Sequence, residues 1–303
     1  MDFGRLPDIK DVDWTLPADA PENEATLKRL SQGRHLQAYI GLPILADPEY
    51  VGRMYPPGTK SKEYFRLYSQ RFNTLEFNTT HYGIPRAETV DHWRNSVPDT
   101  FHYCPKVPQS ISHSGNLATT YAERDAFIEV IQRLGPTLGP QFIQFPPQFG
   151  PDRLTELIEF LRDWPSEVAL TVELREESWF EPGNESWNEL TQALSEFGIG
   201  LVITDTAGRR DVLHMQLTVP SVLVRFNGYE LDSTDYTRTK AWIQRLRKWQ
   251  SLGLESLYFF QHQHHPHNSL ALTKYMVEEW NKDGEPTLNV PRLQNPDAQQ
   301  SLF

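Results

Sequence analysis

The sequence contains a single cysteine, Cys104, and this scarcity excludes two kinds of stabilisation. No intramolecular disulfide can form from one thiol, and a zinc site built from several thiolates is excluded as well. No apolar run approaches the roughly 18 residues that a membrane-spanning helix needs. The opening stretch, MDFGRLPDIK, has no apolar signal core. We therefore expect a cytoplasmic protein that does not bind a membrane.

Positive charge is also scarce and is not concentrated in runs. The 303 residues include 29 Lys and Arg against 40 Asp and Glu, which gives a formal net charge of -11. Basic residues cluster only in short pairs such as Arg209-Arg210. A chain this acidic repels phosphate backbones, so no nucleic-acid partner is expected. Because the sequence also lacks a glycine-rich P-loop and a dinucleotide fingerprint, it gives no support to a nucleotide cofactor.

Strand-like and helix-like segments alternate along most of the chain. Eight strands are predicted, at His35–Leu42, Thr74–Thr80, Phe101–Val107, Gln141–Phe145, Val168–Arg175, Gly200–Asp205, Ser221–Asn227 and Ser256–Gln261. Helical patterns fall between most of them, and a further one follows the last strand. Such alternation predicts parallel βαβ units, and eight repeats at this length predict an α/β fold, a single (β/α)8 barrel of the TIM type.

The predicted barrel domain covers residues 35–282. It is preceded by an N-terminal extension, residues 1–34, which is rich in Pro and Asp and has only a short helical pattern near Leu27 and Leu30. We expect this extension to lie on the barrel as an arm or to be partly loose. Residues 283–303 lack periodicity and are predicted to form a C-terminal tail.

Polar residues recur on the strand face that should line the barrel interior. In VELREESWF, Val172 and Leu174 share one parity, whereas Glu173 and Arg175 share the other. Active sites of such barrels lie at the C-terminal ends of the strands. Most other strands show the same alternation, although Asp205 has the parity of Leu201 and Ile203. The result is a predicted ring of polar residues at the barrel mouth: Glu76, Asn78, Lys106, Gln144, Glu173, Arg175, Asp205, Arg225 and Asn227.

We interpret this ring as a pocket for a small anionic or polyhydroxylated metabolite, and we expect an enzyme. Glu173 and Glu76 are the candidates for general acid or base, because burial and cationic neighbours would set their pKa values. The cations would hold anionic or carbonyl oxygens, and the remaining polar residues would orient the ligand. The predicted substrate-binding residues of the ring are Arg175, Arg225, Lys106, Gln144, Asn78, Asp205 and Asn227.

Three other interpretations of the same residues stay open. The ring could be a structural ion-pair network that fills the barrel mouth of a non-catalytic binding or interaction protein. Glu76 and Glu173 could instead be the carboxylate pair of a glycoside hydrolase, which needs its two carboxyls about 5 to 10 Å apart. Tyr82 and Trp179 would then stack on sugar rings, although ordinary packing under loops explains each of them somewhat better.

The third interpretation concerns histidines in loops. The stretch QHQHHPH, Gln261–His267, follows the last strand and could contribute ligands for a divalent metal, although its spacing matches no established motif. His113 lies in the loop after the third strand and could be a mobile acid or a phosphate contact. A plain loop hydrogen bond is the alternative role for His113.

Five strand-end motifs resemble the YecE-like proteins, a family labelled as domain of unknown function number seventy-two. The motifs are FNTLEFNTTHYGIP, FHYCPKVPQSISH, QFIQFPPQF, VELREESWF and VRFNG. The resemblance runs from about Ile40 to about Trp280 and implies a TIM barrel without implying a reaction. The chain has Arg225-Phe226-Asn227-Gly228 where the family often has Arg-x-His-Gly. It also has Phe260-Gln261-His262 where Phe-Asn-Asn is frequent.

Overall fold

The chain folds into a barrel of parallel strands surrounded by helices. The computed structural model describes residues 4–293, and within them the chain forms eight strands and nine α-helices. The strands β1 to β8 are Gln37–Leu42, Thr74–Phe77, His102–Pro105, Gln141–Gln144, Leu170–Glu173, Gly200–Asp205, Ser221–Asn227 and Ser256–His262. The helices α1 to α9 are Asn23–Leu30, Tyr64–Ser69, Ala87–Asn95, Gln109–Ser112, Tyr121–Ile131, Leu154–Arg162, Glu185–Phe197, Ser233–Leu252 and Pro266–Trp280.

The strand order is β3-β2-β1-β8-β7-β6-β5-β4, and all neighbouring pairs are parallel. Two backbone hydrogen bonds bring the ends of this order together. Gly139 N donates to Tyr103 O at 2.8 Å, and Val107 N donates to Phe142 O at 2.9 Å. Beside β3 and β4 the sheet is therefore almost closed. The TIM-type barrel predicted from the alternation of elements is confirmed.

The two faces of each strand have different environments, as the alternation of residues predicts. The outward residues of β7, such as Val224 and Phe226, pack against helices in an apolar cluster that includes Trp242 of α8. The inward residues form a small apolar layer inside the barrel, which consists of Cys104, Phe142, Val202, Leu223, Tyr258 and Phe260, with Tyr39 against it. The charged inward residues Glu76, Glu173 and Arg225 lie towards the C-terminal ends of their strands.

One position in the surrounding ring of helices is filled from the N-terminal extension. Between β6 and β7 the described chain has no α-helix and only a 3-10 turn at Arg210–Val212. The side chain of Asn23 in α1 binds this connection, because its Nδ2 donates to Met215 O at 2.8 Å and its Oδ1 accepts from Leu217 N at 2.8 Å. The Asn23 side chain thus satisfies backbone groups of this connection, at the place where a crossover helix would otherwise lie.

Helix α1 also contacts both neighbouring helices of the ring. Leu27 is fully buried in the apolar cluster that contains Trp249 of α8. Arg29 Nη2 donates to Ser195 Oγ of α7 at 2.8 Å. Helix α1 therefore lies between α7 and α8, and this part of the extension belongs to the barrel's outer layer.

The residues before α1 run along the barrel as an arm that reaches the C-terminal strand ends. Gly208 N, after β6, donates to Gly4 O at 2.8 Å, and Tyr229 Oη, after β7, donates to Pro7 O at 2.9 Å. The ring of Trp14 lies 4.1 Å from the guanidinium carbon of Arg238. Residues 1–3 of the predicted extension and residues 294–303 of the predicted tail lie outside the described residues.

Strand boundaries differ from the predicted ones by a few residues at the C-terminal end of the barrel. The predicted second strand reached Thr80, whereas β2 ends at Phe77 and continues as a 3-10 helix, Asn78–Tyr82. Thr80 Oγ1 donates to Phe77 O at 3.1 Å and to Lys106 O at 2.7 Å, which holds the turn against the end of β3. Strand β8 runs one residue further than predicted, to His262.

None of the helices within residues 4–293 has both the length and the apolar character required to cross a lipid bilayer.

Candidate functional site

Arg225 is the centre of a buried ion-pair network at the C-terminal strand ends. Its Nε donates to Glu76 Oε2 at 3.0 Å, and its Nη2 donates to Glu76 Oε1 at 2.9 Å. Its Nη1 donates to Glu173 Oε2 at 2.9 Å. All three side chains are at least 96% buried. One guanidinium therefore joins carboxylates from β2 and β5 inside the barrel.

The two carboxylates accept further hydrogen bonds from neighbouring side chains. Glu173 Oε1 accepts from Arg175 Nε at 2.8 Å and from Thr204 Oγ1 at 3.1 Å. Glu76 Oε1 accepts from Asn78 Nδ2 at 2.9 Å. A buried carboxylate is tolerated when cations and hydrogen-bond donors surround it, and both glutamates meet this condition.

Neighbouring cations lower the pKa values of the two glutamates by more than burial raises them. Burial alone would raise the pKa of Glu173, but Arg175, Arg225 and Lys106 lower that pKa to about 2. Burial likewise opposes ionisation of Glu76, while Arg225 and His262 hold its pKa well below the usual range. For Arg225, burial is opposed by the two carboxylates, and its pKa is raised. Both glutamates are therefore ionised at neutral pH.

Lys106, at the end of β3, has a different environment from the two arginines. Its side chain is only 1% exposed, and Nζ donates to Gln144 Oε1 of β4 at 3.0 Å. It also lies 5.9 Å from the centre of the Phe142 ring. Within residues 4–293, Lys106 forms no salt bridge with a carboxylate. Burial and the positive charge of Arg225 lower the pKa of Lys106 to about 8.

Three histidines lie at the rim of this cluster. His262 Nε2 is 2.9 Å from Glu76 Oε2. His81 and His113 are both half-buried, with ring centres 5.8 Å apart. Burial and the charge of Lys106 lower the pKa of His81 to about 4 and also lower the pKa of His113. These two imidazoles are therefore neutral near pH 7, and His113 Nδ1 lies 2.9 Å from Ser112 Oγ.

The structure thus brings together most of the predicted ring, and the hydrogen bonds above connect Glu76, Asn78, Glu173, Arg175 and Arg225. Lys106 and Gln144 form a second bonded pair beside them. Asn227 has the same parity as Arg225 and is half-buried; its backbone oxygen accepts from Arg238 Nη1 at 3.1 Å.

Asp205 is not part of this cluster. It pairs with Phe226 in the β6–β7 register, so its side chain lies on the outer face of the barrel. There its Oδ2 accepts from Trp242 Nε1 at 2.7 Å, and its Oδ1 is 2.8 Å from Arg238 Nη2. Its parity with Leu201 and Ile203 already indicated this direction. Asp205 anchors helix α8 to β6.

The two predicted sugar-stacking aromatics lie in opposite environments. Trp179 is fully buried, and its Nε1 donates to Phe149 O at 2.7 Å, which is the bonding of a core residue. Tyr82 is 84% exposed, and its ring centre lies 5.6 Å from that of His81. Of these two aromatics, Tyr82 is exposed to solvent and Trp179 is not.

The histidines of the loop after β8 have separate partners. His264 Nδ1 is 3.2 Å from Arg5 Nη1, and His267 Nδ1 is 2.6 Å from Glu49 Oε2. In the part of the chain from residue 4 to residue 293, no three His, Cys, Asp or Glu side chains are grouped as a metal site would require. The metal interpretation of this loop gains no support from the arrangement.

Thr204 and His81 were not predicted from the sequence, and His262 was considered only as a possible metal ligand within Gln261–His267. Thr204 pairs with Arg225 in the β6–β7 register, and strand parity alone would have placed it inward in preference to Asp205. His262 would have been found by extending β8 one residue, because it has the parity of Phe260. His81 lies in a 3-10 turn, where no strand periodicity applies.

Comparison with known proteins places this chain in a family. The family model described as "Protein of unknown function DUF72" matches residues 39–298. The UPF0759 protein YecE of Escherichia coli K12 is 33% identical over 229 residues, which cover 70% of this chain and 81% of YecE. The UPF0759 protein YunF of Bacillus subtilis is 27% identical over 154 residues, 48% of this chain and 52% of YunF.

Solved structures of DUF72 proteins have the same fold. One from Enterococcus faecalis superposes with a TM-score of 0.62 at 22% identity and covers 82% of this chain and 99% of its own. One from Thermotoga maritima gives a TM-score of 0.58 at 21% identity, over 80% of this chain and 100% of its own. At these identities the likeness concerns the fold alone.

Proposed function

The chain belongs to the DUF72 family, whose function is unknown, and from the strand-end cluster we propose that it is an enzyme acting on a small anionic metabolite. In this proposal Lys106 holds the anion and exchanges a proton with it. Arg225, Glu76 and Glu173 form the rigid support of the site. The rim residues His81, His113 and Tyr82 would face the rest of the ligand.

The observation that carries the proposal is the buried ammonium of Lys106. The carboxylates of the cluster are bound to guanidinium groups, whereas Lys106 donates to the neutral amide of Gln144. A buried ammonium without a directly bonded carboxylate is costly, and within residues 4–293 Nζ has a single hydrogen-bond acceptor, Gln144 Oε1. An anionic ligand oxygen would supply both a directly bonded negative charge and a further acceptor.

The pKa values assign the proton chemistry to Lys106 in preference to the glutamates. A general acid or base works best when its pKa lies near the operating pH. Lys106, with a pKa of about 8, meets this condition, whereas Glu173, with a pKa of about 2, is a weak base at neutral pH. Acid or base catalysis by Glu173 or Glu76 stays a prediction. Their ion pairs do not favour it, because cations lower the pKa values of both carboxyls.

The glycosidase interpretation is disfavoured by the same pair of carboxyls. A glycosidase needs one carboxyl that is protonated at the working pH, with its pKa raised. Here arginines lower the pKa values of both Glu76 and Glu173. We therefore place the ligand beside Lys106.

A structural ion-pair network is the second candidate, and the direct contacts of Arg225 with two glutamates favour it. This network accounts for Glu76, Glu173, Arg175 and Arg225 without any ligand. It leaves Lys106 unexplained, because a buried methionine there would fill the space without the charge. We therefore assign the network to the support of the site and Lys106 to its chemistry.

Thermal unfolding with a panel of ligands tests the proposal. The panel holds phosphate, sugar phosphates and small carboxylates against neutral polyols, all at one ionic strength. Binding to the native state raises the melting temperature, so we expect an upward shift with one anion class. The shift should vanish in Lys106→Met and persist in the control Lys62→Met, which removes an exposed lysine. An unchanged response in Lys106→Met would leave the structural network as the better interpretation.

Lys106→Arg separates anion holding from proton transfer. Arginine keeps the positive charge but does not lose its proton in proteins. Once the anion class is known, this variant should still respond in the thermal assay and should lose turnover of that compound. Equal turnover in Lys106→Arg and wild type would remove the proton-transfer role and retain the binding role.

A further inference from the structure

We propose that Lys106 forms a covalent imine with its substrate, which makes small carbonyl compounds that carry an acid group, such as 2-oxo acids, the substrate class. This inference rests on the proposed function, because the same amine first attracts the anion. It adds a bond-forming step and a named class of compound, and it can fail while anion binding stands.

The position of the amine favours this role. Lys106 lies at the C-terminal end of β3, where barrels of this type place reacting groups. Its Nζ is bound to an amide oxygen at 3.0 Å, and it is not paired with either glutamate of the cluster. An amine bound to a carboxylate is held in its protonated form, whereas an amide acceptor exerts no such hold. Lysines that are desolvated beside another cation are the ones that react with carbonyl groups.

Two features of the surroundings supply the neutral amine that the reaction needs. Burial and the nearby charges of Arg225 and Arg175 lower the pKa of Lys106 to about 8. At pH 7 the neutral fraction is then roughly two hundred times that of an ordinary lysine. The same positive charges favour a substrate whose carbonyl is adjacent to a carboxylate, since the carboxylate is attracted to the end of the barrel that holds the amine.

The step is balanced without any further reactant. The lone pair of neutral Nζ attacks the carbonyl carbon, and the C–N bond forms as the carbonyl π electrons move to oxygen. The resulting carbinolamine loses its C–O bond as a C=N bond forms. Both hydrogens of the amine leave with that oxygen as water. The products are an imine and one water molecule, and nothing is oxidised or reduced.

Borohydride trapping tests the imine directly. The native full-length protein is incubated with pyruvate or glyoxylate, reduced with borohydride, digested and mapped by mass spectrometry. We expect a carboxyalkyl group on Lys106 at roughly tenfold or more the extent on exposed Lys62, because burial beside Arg225 lowers the pKa of Lys106. Lactate and acetate, which lack a reactive carbonyl, give no adduct. In Lys106→Arg the adduct is lost, whereas in Lys62→Arg the Lys106 adduct persists.

The outcomes separate this inference from the proposed function. A dominant Lys106 adduct in the wild-type protein supports the imine without relying on any variant. If pyruvate raises the melting temperature through Lys106 but labels Lys106 no more than Lys62, the imine is overturned and anion binding stands. If neither a thermal shift with any anion nor an adduct is found, both proposals are overturned.

Discussion

Arg225 of β7 and Glu76 of β2 are joined by two hydrogen bonds, at 3.0 and 2.9 Å, although β8 and β1 separate their strands in the sheet. Such a fork is possible only because the sheet curls into a barrel. A bidentate arginine–carboxylate pair is stronger and more directional than a single hydrogen bond. The pair therefore connects distant parts of the barrel wall above the apolar layer inside it.

Replacing Arg225 by Met is expected to be strongly destabilising. The change leaves Glu76 and Glu173 buried without their shared partner, and breaking a buried pair costs about 3 to 5 kcal/mol. Urea unfolding of the variant against wild type measures the loss. Arg133→Met serves as the matched control, because Arg133 pairs with Asp91 on the exposed surface and should change stability far less. Equal losses in the two variants would contradict a buried network.

The stability difference between wild type and Glu173→Gln should depend on pH. The pKa of Glu173 is about 2 in the folded protein, below its ordinary value of 4.5, so the unfolded chain binds more protons between these values. The contribution of the carboxylate, roughly 3 kcal/mol, is complete above about pH 5 and is lost as the pH falls towards 2. Unfolding free energies measured from pH 7 to pH 3 should show the gap closing. A constant gap would mean that Glu173 is not ionised in the network.

Lys106→Met is expected to stabilise the ligand-free protein at pH 7. The pKa of Lys106 is about 8 when folded, below its ordinary 10.5, so its buried charge opposes folding below pH 8. Removing that charge should add about 1 to 3 kcal/mol. Because the unfolded chain binds more protons between pH 8 and 10.5, wild type gains stability there and the advantage of the variant shrinks. Denaturant unfolding at pH 7 and pH 9.5 measures this, and a destabilised variant at pH 7 would give Lys106 a structural role.

Asn23→Ala tests whether the N-terminal helix is part of the barrel. Asn23 is 2% exposed, and its side chain donates a hydrogen bond to Met215 O and accepts one from Leu217 N. Leaving these buried groups unpaired should cost about 1 to 3 kcal/mol. Asn188→Ala, at an exposed position of α7, is the control and should change stability little. Thermal or urea unfolding measures both, and an unaffected Asn23→Ala would mean that α1 is dispensable for the outer layer.

The barrel and the strand-end location of the cluster were predictable because they follow from local patterns. Alternation between strand and helix predicts parallel βαβ units, and inward parity picked out Glu76, Lys106, Glu173 and Arg225. The end of a strand was predicted less accurately where a 3-10 turn follows it directly and the strand-like pattern of residues continues into the turn. The turn after β2 places His81 at the site, and the additional residue of β8 places His262 there.

By itself the sequence determined the fold class and which side chains face inward, since both depend on periods of two and 3.6 residues along the chain. The tertiary structure decided the partners: Arg225 takes both carboxylates, and Lys106 is left with the amide of Gln144. It also decided that α1 fills the position that lacks a helix after β6. These pairings depend on how the curved sheet closes and on which strand ends then meet. The partners lie far apart in the chain, so no local sequence pattern shows that they are close in space.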